Sequence, residues 1–140
     1  MFEKENFYHV YSRGDRREPI FTTEHDYQRF LEKAQEYKIK YAMDVVAYCL
    51  LTNHFHILLK QLTSVPLSKF VGVLLNSHSH YASKKYELPL GHLFQGRFGS
   101  RLIESSEDLL NTSRYIHLNP INSSLLKMDY TYKSSRIIKD

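Results

Sequence analysis

Polar and apolar positions alternate along this chain in blocks whose spacing sets the backbone expected of each. Residues 7–12 are aromatic and β-branched and end at Arg13-Gly14, which predicts a first strand followed by a turn. Residues 15–19 form a charged loop. From Thr23 onward, Tyr27, Phe30, Leu31, Ala34 and Tyr37 recur at helical spacing, and Thr23 with Asp26 resembles a capping box, so a first helix is expected. Residues 43–51 are nearly all apolar, as in a central strand covered on both faces. Thr52-Asn53 breaks that run before residues 55–59 resume it, predicting two central strands joined by a tight turn. Pro66 suits the first turn of a second helix, along which Leu67, Phe70, Val71, Leu74, His78, Tyr81 and Ala82 form an apolar stripe ending near Tyr86. Residues 93–103 alternate well enough for a last strand, with Gly96 and Gly99 marking bends. Ser105 or Ser106 caps a third helix, Glu107 and Asp108 suit its positive end, and Pro120 stops it.

The order β-α-β-β-α-β-α defines an α+β chain: a ferredoxin-like split β-α-β core with an antiparallel sheet, plus one C-terminal helix. No internal repeat, low-complexity tract or linker interrupts it, so residues 1–140 are expected to form one domain. Hydrophobic residues at 42% and aromatic ones at 14% supply a core and argue against disorder. A formal charge of +4 favours a polyanionic partner without specifying one. Cys49 is the only cysteine, which excludes an intramolecular disulfide framework and a cysteine metal cluster. The longest apolar run, residues 45–51, is far short of the roughly 20 residues that span a bilayer. With no apolar signal core in residues 1–6, a cytoplasmic protein is expected, neither secreted nor membrane-bound.

Chemistry concentrates at His54-Phe55-His56. On an extended strand residues two apart share a face, so both imidazoles converge while Phe55 turns into the core. His78-Ser79-His80 has the same spelling but lies on an expected helix, where residues two apart are separated by roughly 200° and cannot share one ion. Two imidazoles make half a metal site, or else two polar residues on a solvent-facing strand. The third helix offers a further ligand, because Tyr115 and Asn119 are four residues apart and project from one face. One is a phenol and the other an amide oxygen. Periodicity alone also permits Tyr115 to be a core aromatic.

The segments Ala47-Tyr48-Cys49-Leu50-Leu51-Thr52-Asn53-His54-Phe55-His56-Ile57-Leu58-Leu59, Gly91-His92-Leu93-Phe94-Gln95-Gly96-Arg97-Phe98 and Arg114-Tyr115-Ile116-His117-Leu118-Asn119-Pro120 resemble the single-tyrosine HUH transposases. The likeness is strongest to the branch of REP-associated tyrosine transposases, and Tyr8-His9-Val10-Tyr11-Ser12-Arg13-Gly14 shares it. The resemblance implies a DNA transposase that cleaves and rejoins single-stranded DNA through a 5′-phosphotyrosine, at sequences carrying small hairpins. It places the nucleophile on Tyr115, the metal-binding pair on His54 and His56, and a third metal ligand on Asn119. It implies Mg²⁺ or Mn²⁺, whereas two imidazoles and an amide by themselves suit zinc or nickel equally. It leaves open a monomer or a homodimer in which one subunit's tyrosine serves the other's histidines. The chain departs from the family at Thr52, where proline is usual, and after Ile121, where the usual basic residues and tryptophan are missing.

DNA contacts are expected from Arg13, Arg16, Arg17, Gln95, Arg97 and Arg101, the last strand presenting Gln95, Arg97 and Arg101 on one face; Phe94 either stacks on bases or fills the core. An ordinary phenol is almost wholly protonated at neutral pH, so a tyrosine nucleophile needs activation, and no activating group can be read from the sequence. Tyr81 is the alternative nucleophile. The competing interpretation is a non-catalytic single-stranded nucleic-acid-binding module of the same topology, for which Gln95-Gly96-Arg97-Phe98-Gly99 is only a faint echo of the RNA-recognition signature. A metal-sensing protein would use the histidines but not the tyrosine helix.

Overall fold

The computed structural model describes residues 2–89, 91, 93–118 and, as backbone, 132–134. Its elements are β1 (Phe7–Arg13), a 3-10 turn (Asp15–Arg17), α1 (Glu24–Lys40), β2 (Met43–Leu51), β3 (His54–Gln61), α2 (Leu67–Tyr86), β4 (Gly99–Leu102), α3 (Ser106–Leu118) and β5 (Tyr132–Ser134). The sheet order is β4-β1-β3-β2-β5 with every pair antiparallel. Its first four strands with α1 and α2 are the expected ferredoxin-like split core. β5 adds an edge beside β2 that the hydrophobic pattern does not reveal, because a strand of three residues carries no readable periodicity.

Sheet alternation sorts the side chains into two layers. One face of the sheet packs Tyr8, Val10, Phe55, Ile57 and Leu59 against Tyr27 and Phe30 of α1 and Leu67, Phe70 and Leu74 of α2. The other face carries Ala47, Cys49, Leu51 and Leu58 beneath Ile116 and Leu109 of α3. Apart from the half-buried Asp44, β2 is almost wholly apolar because it is covered on both sides. A bulge between Val45 and Ala47 moves the later residues out of phase, so Val45 meets the α1/α2 layer and Ala47 meets α3.

α1 begins at the expected capping box: Asp26 N–H donates to Thr23 Oγ1 and Thr23 N–H donates to Asp26 Oδ2. Asp26 also joins the two helices, accepting from Tyr81 Oη at 2.5 Å, Tyr86 Oη at 2.6 Å and Lys85 Nζ at 2.8 Å. Tyr81, the alternative phenol, is thereby committed to the α1/α2 layer.

The last strand is shorter than the alternation of residues 93–103 suggests. Only Gly99–Leu102 pairs as a strand, while residues 93–98 form a loop that meets the chain just past β1 through an isolated bridge of Phe94 with Gly14. Gly96 has φ +62, a left-handed conformation that a continuous strand cannot accommodate. Phe94 packs on Phe55 and His78, so it belongs to the core rather than to a base-stacking surface.

Candidate active site

The site grows from the registers of the central strands. β1 sets Arg13 opposite His54 and Tyr11 opposite His56, and β4 sets Gly99 opposite Tyr11 and Arg101 opposite His9. Residues directly opposite share a face, so His9, Tyr11, Arg13, His54, His56 and Arg101 all lie on the α3 side of the sheet. The His54 and His56 rings stand 5.3 Å apart between centroids and nearly perpendicular, as the strand spacing predicts. By contrast, His78 is buried in the α1/α2 layer and His80 is exposed.

α3 lies across this face. Its Tyr115 is 51% exposed and therefore not a core aromatic. The phenol ring stands edge-on to His56 at 5.5 Å and to His9 at 6.1 Å between centroids. Tyr115 can face the sheet because Ile116, its neighbour in sequence, is fully buried and fixes the rotation of the helix. The N-terminal half is fixed by Arg101, whose Nη1 donates to Asp108 Oδ2 at 3.0 Å and Nη2 to Thr112 Oγ1 at 2.7 Å. Ser105 Oγ caps the helix by accepting from Asp108 N–H at 3.0 Å. Arg101, expected among the DNA contacts, is thus engaged with α3, and it does not share a continuous strand with Gln95 and Arg97.

His56 is buried, and its Nδ1 lies 3.0 Å from Nε2 of His9, which is buried as well. Burial and the neighbouring His9 and His54 push the pKa of His56 down to about 3. Burial and the Arg101 guanidinium push that of His9 down to about 4, against a small opposing effect of Asp108. Both rings are therefore neutral at physiological pH, the state in which imidazole ligates metals. His54 Nδ1–H donates to Asn53 Oδ1 at 2.9 Å, which leaves the lone pair on Nε2. The neutral His56 and the hydrogen-bonded His54, two imidazoles on one face, fit two ligands of a divalent cation. Asn119, the expected third ligand, lies outside the described residues, and among those described no cluster of three His, Cys, Asp or Glu is arranged to hold a metal.

An open cleft of about 700 Å³ extends from the histidines, lined by Tyr11, Arg13, Arg17, His54, Gln95 and Arg97 among others. Its rim is stitched together by backbone: Gly14 N–H donates to Asn53 O, Gln95 N–H to Arg13 O and Asp15 N–H to Leu93 O. Arg13 Nε donates to Gln95 Oε1 at 2.6 Å. Four of the six expected DNA contacts, Arg13, Arg17, Gln95 and Arg97, thus meet at one cleft. Arg16 sits exposed on the adjoining turn.

Sequence reasoning assigned no role to His9 or Tyr11. The signal was available: on β1 the polar-tipped residues His9, Tyr11 and Arg13 alternate with buried Tyr8, Val10 and Ser12, as His54 and His56 alternate with Phe55.

An antiparallel ferredoxin-like sheet with a histidine pair at its centre and a tyrosine helix laid across it defines the class of this protein. Residues 4–119 match the IS200-like transposase family, and the chain belongs to that family. No curated protein matches the chain. Among solved structures it is similar to a REP-associated tyrosine transposase bound to a REP hairpin, with TM-score 0.75 and 19% identity over 91% of this chain and 73% of the other. It is also similar to a structure from Deinococcus radiodurans R1 described as a transposase, with TM-score 0.58 and 14% identity over 79% of this chain and 87% of the other. At these identities the likeness establishes the fold. Among the described residues no helix is long and apolar enough to cross a membrane.

Proposed function

We propose that this transposase cleaves and rejoins single-stranded DNA by attack of Tyr115 Oη on a phosphodiester beside His54 and His56. The observation that carries the reading is the exposed phenol of Tyr115 set 5.5 Å from the ring of His56, which itself lines the arginine-bearing cleft. Attack forms a bond from the phenol oxygen to phosphorus and breaks the bond to the 3′ oxygen. The phenol proton leaves to a base, and the departing 3′ oxygen takes up a proton. The product is a 5′-phosphotyrosine with a free 3′-hydroxyl, and attack by another 3′-hydroxyl reverses the exchange without ATP. His54 and His56, with Asn119 as the family resemblance suggests, would hold Mg²⁺ or Mn²⁺. Such a cation, when bound, draws charge from a non-bridging phosphate oxygen as it builds in the transition state.

Arg13, Arg17 and Arg97 would neutralise the phosphates entering the cleft, and Arg16 and Gln95 would contact the strand at its rim. A hairpin substrate is suggested by the REP hairpin held by the similar transposase structure. Incubation with hairpin-tailed single-stranded DNA and Mn²⁺ should give an adduct that survives SDS, and Tyr115→Phe should abolish it while DNA affinity stays near wild type. Undiminished adduct from Tyr115→Phe would move the nucleophile elsewhere, with Tyr11, a second phenol on this face, the next to test.

A further inference from the structure

We infer that His9 is a positioning residue for His56: it accepts a hydrogen bond from His56 Nδ1–H and so holds the lone pair of His56 on Nε2, ready for a cation. The inference rests on the proposed metal role of His56. The contact joins two buried rings from adjacent strands, with His9 Nε2 and His56 Nδ1 3.0 Å apart and ring centroids 5.1 Å apart.

A hydrogen bond between two ring nitrogens holds one proton, and its position decides what His56 can do. With the proton on His56 Nδ1, Nε2 carries the lone pair and can ligate. With the proton on His9 Nε2, His56 Nδ1 becomes the acceptor, and its own proton moves to Nε2, which then cannot bind a metal. His54 has already settled the same choice, because Asn53 Oδ1 can only accept and so fixes the proton of His54 on Nδ1. His9 stands toward His56 as Asn53 stands toward His54, so each imidazole has its own partner on the side away from its ligating nitrogen. Such partners orient a ligand and raise its basicity, and their loss typically lowers metal affinity about 10–100-fold.

The strand geometry makes His9 the partner. It lies on the same face of β1 as Tyr11, which is directly opposite His56, and one pleat further along, so its ring reaches back across the strand gap. Leucine at this position would fill the space and offer no acceptor. Asparagine is polar but too short to reach His56. Glutamine reaches the place of His9 Nε2 with an amide oxygen that can accept.

The test uses the full-length, metal-free protein labelled with ¹⁵N-histidine, together with Mn²⁺ alone as the probe, followed by electron paramagnetic resonance. In the wild type, His56 should show a protonated Nδ1 and an unprotonated Nε2. His9→Leu and His9→Asn should shift His56 toward the opposite tautomer and weaken Mn²⁺ binding about 10–100-fold. His9→Gln should restore both. If His9→Leu does not fold, the asparagine and glutamine variants carry the comparison between them. Wild-type tautomer and wild-type Mn²⁺ affinity in His9→Asn would overturn the inference. Failure of the wild type itself to bind Mn²⁺ would overturn the metal reading beneath it, and the positioning role would fall with that reading.

Discussion

The ring of Tyr115 meets the imidazole of His56 edge-on, 5.5 Å between centroids and 86° between planes, although the two arrive on different layers of the fold. If this pair is the reacting centre, the two histidines proposed to bind the cation should separate function from stability in different proportions. His54→Ala and His56→Ala should each abolish metal-dependent adduct formation. His54 is partly exposed, so its loss should cost little stability. His56 is buried against His9, so its removal strands a buried polar ring and should cost about 1–3 kcal/mol. Denaturant melts beside the adduct assay check this, and two equally destabilised variants would argue for a purely structural pair.

Arg101 offers a second division. Because its guanidinium spans Asp108 and Thr112, about two turns and one turn before Tyr115, Arg101→Gln should slow adduct formation by loosening α3 while leaving DNA affinity within about threefold of wild type. Arg101→Lys keeps the charge but loses the two-pronged reach, and should be nearly as slow. Filter binding and single-turnover cleavage distinguish the outcomes. A large loss of affinity with an unchanged rate at saturating DNA would return Arg101 to the DNA contacts.

Helices and central strands were legible because their burial is periodic: Met43–Leu51, the capping box at Thr23 and the stripe from Leu67 to Ala82 stand where their spacing puts them. The segment at residues 93–98 was not, since alternation there arises from a loop anchored by Leu93 and Phe94 in the core, which mimics a strand in any short window. The histidine pair was legible through strand parity. Alternation along β1 marks the face of His9, but its partner depends on the pairing of β1 with β3, a register that no local pattern encodes.

Two glycines should respond differently to alanine. At Gly14 a Cβ would lie 2.0 Å from the backbone oxygen of Glu18, and backbone cannot swing away, so Gly14→Ala should distort the cleft rim and cost about 2 kcal/mol or more. At Gly99 a Cβ would lie 2.2 Å from Tyr11 Cε2, at the mobile end of a partly exposed side chain. Gly99→Ala should therefore displace the Tyr11 ring and alter DNA affinity while melting within a few degrees of wild type. Thermal melts and strand binding check both, and equal destabilisation would contradict the distinction.

Acid sensitivity should come from buried imidazole before carboxylate. Burial lowers the pKa of His78 to about 4, against the opposing pull of the Ile20 carbonyl that accepts from its Nε2–H at 2.7 Å. The folded state thus binds this proton less readily than the unfolded chain, whose histidines titrate near 6.5. The stability associated with neutral His78 is complete above about pH 6.5 and is lost as pH falls towards about 4. Asp26 behaves otherwise. Burial would raise its pKa, but hydrogen bonds from Lys85, Tyr81, Tyr86 and the Thr22 N–H outweigh that and hold the carboxyl below its usual range. Its contribution is present above the unfolded carboxylate pKa near 4 and is lost only in stronger acid. Between pH 6.5 and 5 the slope of stability should therefore fall by up to about one proton in His78→Gln, whose amide can still donate to Ile20, and stay nearly unchanged in Asp26→Asn, whose effect sets in only as pH falls through about 4. Urea midpoints across that range decide it, and an unaltered slope in His78→Gln would mean that His78 does not govern this window.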